Sequence, residues 1–390
     1  MTWPNRKRIA KAAAAGLVAA ASASARLPSE APCTATGSGV CRYVDPGGND
    51  NNPGTSGAPF RTLQRAAGVV NPGDVVVVRD GTYIGGSTIL DISRSGTAAN
   101  PIVFQAEHRW GAVIDGRSNS SGTGIRISGN YIRVQGFEVR GTNHYGIEAF
   151  GGGNVTVAQN HVHDVGHYCT STSNGIVGIN AYVPNLLIEQ NVVHDIGRWA
   201  DGENGCTTTN RYWQNHDHGV YHGLGDNVII RDNVFYNFTR GWAIQRYDGA
   251  RTAVSNLQIV NNTFAGANPN KDGQIIIASP VVGLVIANNI FYQPRTAGVL
   301  FDTGRLSGLV ANNLTDRASL STGATSGLAF AANLLSRDPG FRDAAKGDFH
   351  LLPGSPAIGA GRHLASVPGD LNRTPGVATA PDIGAYQYNK

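Results

Sequence analysis

One pattern recurs through the middle of the chain and restricts the folds that it can adopt. A short stretch of alternating apolar and polar residues ends each time in asparagine, and the copies end at Asn160, Asn191, Asn233, Asn262, Asn289 and Asn313. The intervals between these asparagines are 31, 42, 29, 27 and 24 residues. Intervals of this length indicate a solenoid, and alternation with a period of two indicates that its units are β-strands.

Each copy contains more than one strand. The second residue after each repeated Asn is apolar, and another strand, opened by Gly, precedes the copies. We therefore predict an all-β solenoid with about three short strands per coil, in which equivalent residues stack from coil to coil. The repeated Asn is predicted to lie at a tight bend, where its side chain bonds the backbone and the next Asn. This role is structural rather than chemical.

With these features the sequence resembles the secreted right-handed parallel β-helix proteins, the group that includes bacterial pectate-lyase-like polysaccharide enzymes. The segment Tyr43–Tyr83 is similar to their N-terminal cap, with a short amphipathic helix over Phe60–Val70. The segment from Asp338 to Tyr388 is similar to their C-terminal segment. The resemblance implies an N-terminal cap over 26–83, a β-helix over 84–335 and a C-terminal capping segment over 336–390.

Residues 1–25 have the pattern of a secretory signal peptide, with a basic start, an Ala-rich apolar run and the cleavage pattern Ala23-Ser24-Ala25. They contain four basic residues and no acidic ones, so the net charge of +4 lies entirely in this segment and leaves 27 basic and 27 acidic residues. A neutral mature chain argues against nucleic-acid binding. No later apolar stretch is long enough to span a membrane. We predict a secreted or extracellular monomer.

Two loops, Val165–Asn174 and Ile196–His218, are longer than a solenoid requires and leave successive coils at the same point. Each contains one cysteine, so we predict a Cys169–Cys206 disulfide between them, which leaves Cys33–Cys41 to cross-link the cap. A flap that protects the sheet edge is the alternative function for these loops. The longer loop also carries residues that we predict to bind sugar rings: Trp199, Tyr212, Trp213 and His216.

The residues that precede the strand-opening glycines form a column, in which His218 and Arg240 occupy adjacent coils. Adjacent strands lie about 4.8 Å apart, so these two side chains are predicted to be neighbours. Tyr221 is predicted to project on the same face as His218. Arg246 and Tyr247, at the end of the next strand, are predicted to contact substrate.

These residue types suit β-elimination in a uronate, which needs a neutralised carboxylate, a base for the C5 proton and an acid for the departing O4. Arg240 or Arg246 is predicted to neutralise the carboxylate, since a guanidinium binds a carboxylate through two parallel hydrogen bonds. His218 is predicted to be the base. Tyr221 is predicted to be the acid, and the partner is predicted to be an acidic polysaccharide.

The resemblance implies a second version of this chemistry, because pectate-lyase-like families often use Lys or Arg as the base and calcium to neutralise the substrate. Lys271 is then the candidate base and substrate-binding residue. Calcium needs a cluster of carboxylates, for which Asp201, Glu203 and Asp217 of the long loop are candidates. The cap segment Asp45–Asp50 is a candidate structural calcium site.

A polysaccharide lyase is the first functional hypothesis. A uronate C5-epimerase would abstract the same proton without cleaving the chain, and a non-catalytic glycan-binding or structural surface protein would share the export and capping features. A glycoside hydrolase needs two carboxylates roughly 5–9 Å apart and ranks lower. A further outward column, His163, His194 and Tyr236, is predicted to be a surface ladder of His–Asp pairs with Asp164 and Asp195.

Overall fold

The computed structural model describes residues 33–118, 120–166, 175–197, 216–238, 241–266, 271–372, 374 and 380–389. Three β-sheets, each of parallel strands, wind around a common core, and each turn of the chain adds a strand to every sheet. The repeat therefore folds as the predicted solenoid with three strands per coil. Within the described ranges, no helix is long and apolar enough to cross a membrane.

The strands of the three sheets follow one another along the chain in a fixed order. Sheet 1 has twelve strands: β1 (Cys41–Val44), β2 (Val75–Val78), β5 (Ile102–Ala106), β8 (Asn130–Gln135), β11 (Gly153–Ala158), β14 (Leu186–Glu189), β17 (Val228–Arg231), β20 (Val254–Ser255), β21 (Leu257–Val260), β24 (Val281–Ala287), β27 (Leu306–Ala311) and β30 (Leu328–Ala331). Sheet 2 has nine: β3 (Gly81–Tyr83), β6 (Ala112–Asp115), β9 (Glu138–Arg140), β12 (His161–Val165), β15 (Val192–Ile196), β18 (Val234–Tyr236), β22 (Thr263–Ala265), β25 (Ile290–Tyr292) and β28 (Leu314–Thr315). Sheet 3 has nine: β4 (Thr88–Ile92), β7 (Thr123–Ile127), β10 (Tyr145–Phe150), β13 (Val177–Tyr182), β16 (His218–His222), β19 (Ile244–Arg246), β23 (Ile275–Ile277), β26 (Ala297–Phe301) and β29 (Ser319–Gly323).

Equivalent residues of successive coils stack inside the solenoid. The apolar residue two positions after each repeated Asn is fully buried, as predicted. Phe235, Phe264 and Phe291 form a column in which neighbouring ring centroids lie 5.1 and 5.2 Å apart. This stacking lets one pattern of residues bury apolar surface in every coil.

The repeated asparagines form a buried ladder at the bend between sheets 1 and 2, which confirms the predicted structural role. The side-chain amide of Asn191 donates to Oδ1 of Asn233, at 2.9 Å, and that of Asn233 donates to Oδ1 of Asn262, at 3.0 Å. The residue before each ladder position takes the left-handed conformation that the bend requires, as at Asp232 with φ of 55°. The ladder thus supplies polar partners to backbone groups that the bend removes from the sheets.

Glycines on sheet 3 face the interior. A Cβ at Gly146 would lie 2.6 Å from the Gly178 carbonyl oxygen, and one at Gly178 would lie 2.7 Å from that of Gly219. Added Cβ atoms at these positions would also contact core side chains of sheet 2, Val162 at Gly146 and Val193 at Gly178. Because the aliphatic residue after each of these glycines is also buried, two consecutive residues point inward, and the residues on both sides of the pair point outward.

Shorter elements flank the described solenoid. Helix α1 (Leu63–Val69) packs on the first coil, with Thr62 as its N-cap, where the hydroxyl accepts the Arg65 N–H at 3.2 Å. The Cys33–Cys41 disulfide is present, as predicted. After β30, the antiparallel pair β31 (Phe341–Asp343) and β32 (Asp348–Leu351), joined by a 3-10 turn over Ala344–Lys346, packs on outward apolar residues of sheet 2.

Candidate active site on sheet 3

A cleft of about 550 Å³ lies on the outer face of sheet 3. Its lining includes Tyr145, Glu148, Asn180, Tyr182 and Tyr221. Gly175 and His216 also line it, and they directly follow the two long segments 167–174 and 198–215, which lie outside the described residues. The cleft therefore lies where both predicted long loops rejoin the solenoid, and His216 lies in the region predicted for substrate binding.

Two outward rows of side chains run along this face from coil to coil. Strand pairing sets Tyr145, Val177 and His218 side by side in the first row. The second row runs through Arg126, Glu148, Asn180, Tyr221 and Gln245. His218 and Tyr221 flank the inward pair of β16, so both face outward as predicted, with ring centroids 5.7 Å apart.

The pairing of β16 with β19 differs from the predicted column. Val220 lies opposite Ile244, which sets His218 opposite Trp242 rather than Arg240. The position equivalent to Gly219 in the next coil is Ala243, since a Cβ at Gly219 would lie 2.5 Å from the Ala243 carbonyl oxygen. Gly241 instead has a φ of 56° and belongs to the preceding turn. The sequence alignment on Gly241 was therefore wrong by two residues; Arg240 itself lies outside the described residues.

His218 makes a hydrogen bond that fixes its protonation pattern. Its Nδ1 accepts the backbone N–H of Trp242 at 3.2 Å, and the two rings stack with centroids 5.9 Å apart. A nitrogen that accepts a hydrogen bond carries no proton, so the neutral ring holds its proton on Nε2. His218 is thereby arranged as a donor, which disfavours the predicted role of base.

Tyr221 carries a protonated hydroxyl on the outer face of sheet 3. Burial raises the pKa of its hydroxyl, and the neighbouring Tyr182 raises it further, so the hydroxyl stays protonated at neutral pH. The two phenol rings stack with centroids 5.8 Å apart. The role of Tyr221 as the acid stays a prediction.

Lys271 is buried against the ring of Trp242, with Nζ 4.5 Å from the ring centroid. Burial lowers the pKa of its ammonium group, so a larger fraction of the side chain is neutral amine at a given pH. Since Trp242 also stacks on His218, the structure brings Lys271 to the row that contains His218. Tyr247 packs on the neighbouring outward apolar cluster of Trp242, Ile276 and Ala278.

Arg246 lies on the opposite face from the one its predicted role requires. Its side chain is fully buried in the inward column, where it donates to the carbonyl oxygens of Gly223, at 2.7 Å, and Thr252, at 2.6 Å. It is therefore withdrawn from any substrate carboxylate. His222 occupies the same inward column, and burial together with Arg246 lowers its pKa to about 4.

Two polar residues of the cleft, Glu148 and Asn180, were not predicted as site residues from the sequence. Glu148 lies 3.4 Å from the guanidinium of Arg126, and burial raises the pKa of its carboxyl. Asn180 lies between Glu148 and Tyr221 in the second row. The register of β13 on β16 was the signal needed to find Asn180.

Several predicted residues lie outside the described part of the chain: Trp199, Asp201, Glu203, Tyr212, Trp213, Arg240, Cys169 and Cys206. The described carboxylates nearby offer no calcium cage. Asp217 is fully buried and accepts the Ile176 N–H at 3.1 Å, and Glu148 faces Arg126. In the cap, Asp45 pairs with Arg79 and Asp50 accepts backbone N–H groups before α1. We assign no step to calcium.

Comparisons with known proteins agree with this architecture. The uncharacterized protein YwoF of Bacillus subtilis is 43% identical over 82 residues, which are 21% of this chain and 17% of YwoF. Pectate lyase PEL9 of Emericella nidulans is 39% identical over 74 residues, 19% of this chain and 18% of that protein. The chain thus spans less than a fifth of the length of each of these curated relatives.

The crystal structure of pectate lyase Pel9A is similar along almost the whole chain. It superposes with a TM-score of 0.62 over 91% of this chain and 98% of Pel9A, at 17% identity, a likeness of fold. The family model for the Pel9A-like right-handed β-helix region matches residues 42–249, which is more than half of the chain. This protein therefore belongs to the Pel9A-like right-handed β-helix family.

Proposed function

We propose that the protein is a secreted polysaccharide lyase that cleaves an acidic, uronate-containing glycan by β-elimination in the sheet 3 cleft. The observation that carries the proposal is the grouping of a protonated tyrosine, Tyr221, and a buried lysine, Lys271, around the stacked pair His218 and Trp242. The fold shared with pectate lyase Pel9A supports a carbohydrate-directed lyase activity. The signal-like N-terminus and the Cys33–Cys41 disulfide support secretion.

The reaction needs a base, and Lys271 fits this role better than His218. A lysine with a lowered pKa has a larger fraction of neutral amine at a given pH, and this neutral amine removes the C5 proton of the uronate. The electron pair of that C–H bond forms the C4–C5 double bond while the bond to O4 breaks. Tyr221 donates its proton to O4, and exchange with water resets both groups.

Arginine side chains are proposed to bind the carboxylates of the polymer. Arg240, which lies outside the described residues, is proposed to neutralise the carboxylate of the reacting uronate. Arg126 is 43% exposed and lies three strands from Tyr221, roughly 14 Å along the axis. We assign it to the carboxylate of another sugar in the same polymer.

The test is a panel of uronate polymers incubated with the protein and followed by the ultraviolet absorbance of unsaturated sugar ends. Tyr221→Phe and Lys271→Ala should abolish the signal, whereas Tyr292→Phe, a matched change on sheet 2, should leave it unchanged. Inverted C5 centres without cleavage, seen by proton NMR, would replace the lyase proposal by an epimerase. Binding of a polymer without any turnover would replace it by a glycan-binding function.

A further inference from the structure

Three histidines converge on the outer face of sheet 2, away from the cleft. His161 and His163 are two residues apart on β12 and point the same way, and His194 of β15 lies directly opposite His163. The Nε2 atoms of His161 and His194 are 2.7 Å apart. One side-chain nitrogen from each of the three rings lies within 4.8 Å of the others. The predicted neighbours His163 and His194 thus have a third imidazole, that of His161, beside them in the adjacent row.

Carboxylates orient two of these rings in the same manner. Nδ1 of His163 pairs with Asp164 at 2.7 Å, and Nδ1 of His194 pairs with Asp195 at 2.5 Å. Both aspartates have a left-handed backbone, with φ of 52° and 51°, which a non-glycine residue adopts at a cost of about 1 kcal/mol. Asn237, at the equivalent position of the next coil, has the same conformation, so it belongs to the bend that follows these strands. A carboxylate that pairs with Nδ1 fixes the tautomer of the ring and leaves Nε2, on the other side of the ring, free to face a metal ion. Histidines that bind metal ions are commonly held in this way.

A fourth donor comes from the preceding coil. Glu138 of β9 lies opposite His161, and its Oε1 is 3.4 Å from Nε2 of His163. The same oxygen accepts a hydrogen bond from Arg140 at 2.8 Å, which holds the carboxylate in place. Three imidazole nitrogens and one carboxylate oxygen are a donor set suited to zinc and related divalent transition metals.

Aromatic rings enclose the cluster on two sides. The Trp110 ring lies 4.8 Å from that of His161, and the Tyr236 ring lies 4.4 Å from that of His194. The side chains of His163 and His194 are only 11% and 13% exposed. A four-ligand, enclosed site is typical of a structural metal rather than a catalytic one, because no position is left for substrate.

We propose that Glu138, His161, His163 and His194 bind one divalent transition metal ion of the zinc class, which cross-links three successive coils of sheet 2. Tetrahedral zinc at 2.0–2.1 Å from each donor separates two nitrogens by about 3.3 Å. The His161–His194 separation of 2.7 Å then widens by about 0.6 Å, which a small rotation of the two rings provides. This proposal is independent of the lyase activity.

The experiment uses the full chain, without a histidine tag, stripped with a chelator and dialysed against zinc. We expect one zinc per chain by elemental analysis, and a cobalt-substituted protein with the intense visible absorption of a tetrahedral site. His194→Ala should weaken zinc binding at least tenfold, and Asp195→Asn, which keeps every ligand, should weaken it 10- to 100-fold. Zinc should raise the Tm of the natural protein and not that of His194→Ala.

His350→Ala is the matched control, because His350 also pairs with an aspartate, Asp348, at 2.6 Å but lies outside the cluster. It should bind zinc like the natural protein. The proposal is overturned if the natural protein retains no zinc after dialysis, or if His194→Ala and Asp195→Asn bind zinc as tightly as His350→Ala. Circular dichroism identifies any variant that fails to fold, and Asp195→Asn then decides the result.

Discussion

Replacement of one buried ladder asparagine should destabilise the whole solenoid. The Asn233 side chain is fully buried and makes five hydrogen-bond contacts, three of which share the two hydrogens of its amide group. Its oxygen accepts from the backbone and side-chain amides of Asn191, both at 2.9 Å. Its amide group donates to Asn262 Oδ1 at 3.0 Å and to the carbonyl oxygens of Ile188, at 3.0 Å, and Arg231, at 2.8 Å. Asn233→Ala removes all five interactions at once.

The expected loss in the free energy of unfolding is about 4 kcal/mol. A single hydrogen bond contributes about 1 kcal/mol net, and a buried polar group left without a partner costs about 1–3 kcal/mol. Alanine leaves the Asn191 N–H and the Ile188 carbonyl with reduced pairing in the interior, although neighbouring groups and water recover part of the loss. This magnitude lies at the upper end of what single substitutions cost.

Asn227→Ala provides the matched control, since Asn227 opens the strand that leads to Asn233. Its side chain is exposed and belongs to a second, surface ladder, donating to Asn185 Oδ1 at 3.0 Å and accepting from Asn256 at 2.9 Å. Its φ is 57°, so alanine pays mainly for a left-handed backbone, about 1–2 kcal/mol. Comparing the stability of Asn233→Ala with that of Asn227→Ala separates the contribution of a buried ladder amide from that of an exposed one.

Urea unfolding followed by circular dichroism and tryptophan fluorescence measures both variants, with the m-values compared to ensure that the same transition is observed. The reasoning is refuted if Asn233→Ala is no less stable than Asn227→Ala. Such a result would mean that the buried ladder contributes specificity of the bend rather than stability.

Three further outcomes are expected. Lys271→Met keeps the apolar part of the side chain and removes the amine that takes the C5 proton, so kcat should fall at least 100-fold. The activity of the natural enzyme should rise with pH through a pKa below that of ordinary lysine. The pKa of His222 is about 4 in the folded state and about 6.5 in the unfolded state, so the unfolded state binds the proton first as pH falls. The contribution of neutral His222 to the free energy of unfolding should be fully present above pH 6.5 and should fall by about 3 kcal/mol as pH drops to 4. Urea titrations of His222→Leu should lack this dependence on pH. Gly178→Ala should lower stability by about 1–3 kcal/mol by urea titration, since its Cβ would lie 2.7 Å from the Gly219 carbonyl oxygen, whereas Gly249→Ala, with open space around the Cβ, should not.

Much of the fold was predictable because its determinants are local and repeated. An Asn that bonds its own coil and the next must recur at the same bend, so its spacing reveals the coil length. The helix predicted over Phe60–Val70 is present as Leu63–Val69. The Cys33–Cys41 pairing followed from the position of the two long loops, although the other pair lies outside the described residues.

The candidate site was less predictable, because glycine marks two different places in a coil. Gly219 faces the interior, where the next coil leaves no space for a Cβ, whereas Gly241 lies in a turn with a positive φ. In the sequence the two look alike, and aligning them displaced the column by two residues. That displacement paired His218 with Arg240 instead of Trp242.

The sequence by itself determined that the chain is an all-β solenoid with a buried asparagine bend, since these depend on alternation and side-chain hydrogen bonding within each repeat. Only the tertiary structure decided which side chains face one another across coils, because register depends on hydrogen bonds between residues 20 to 40 positions apart and on loops of unequal length. It turned Arg246 into the core, where carbonyl oxygens from two separate turns receive its guanidinium. It also brought the ring of His161 against that of His194, 33 residues further along the chain, a contact that depends on the register of two coils.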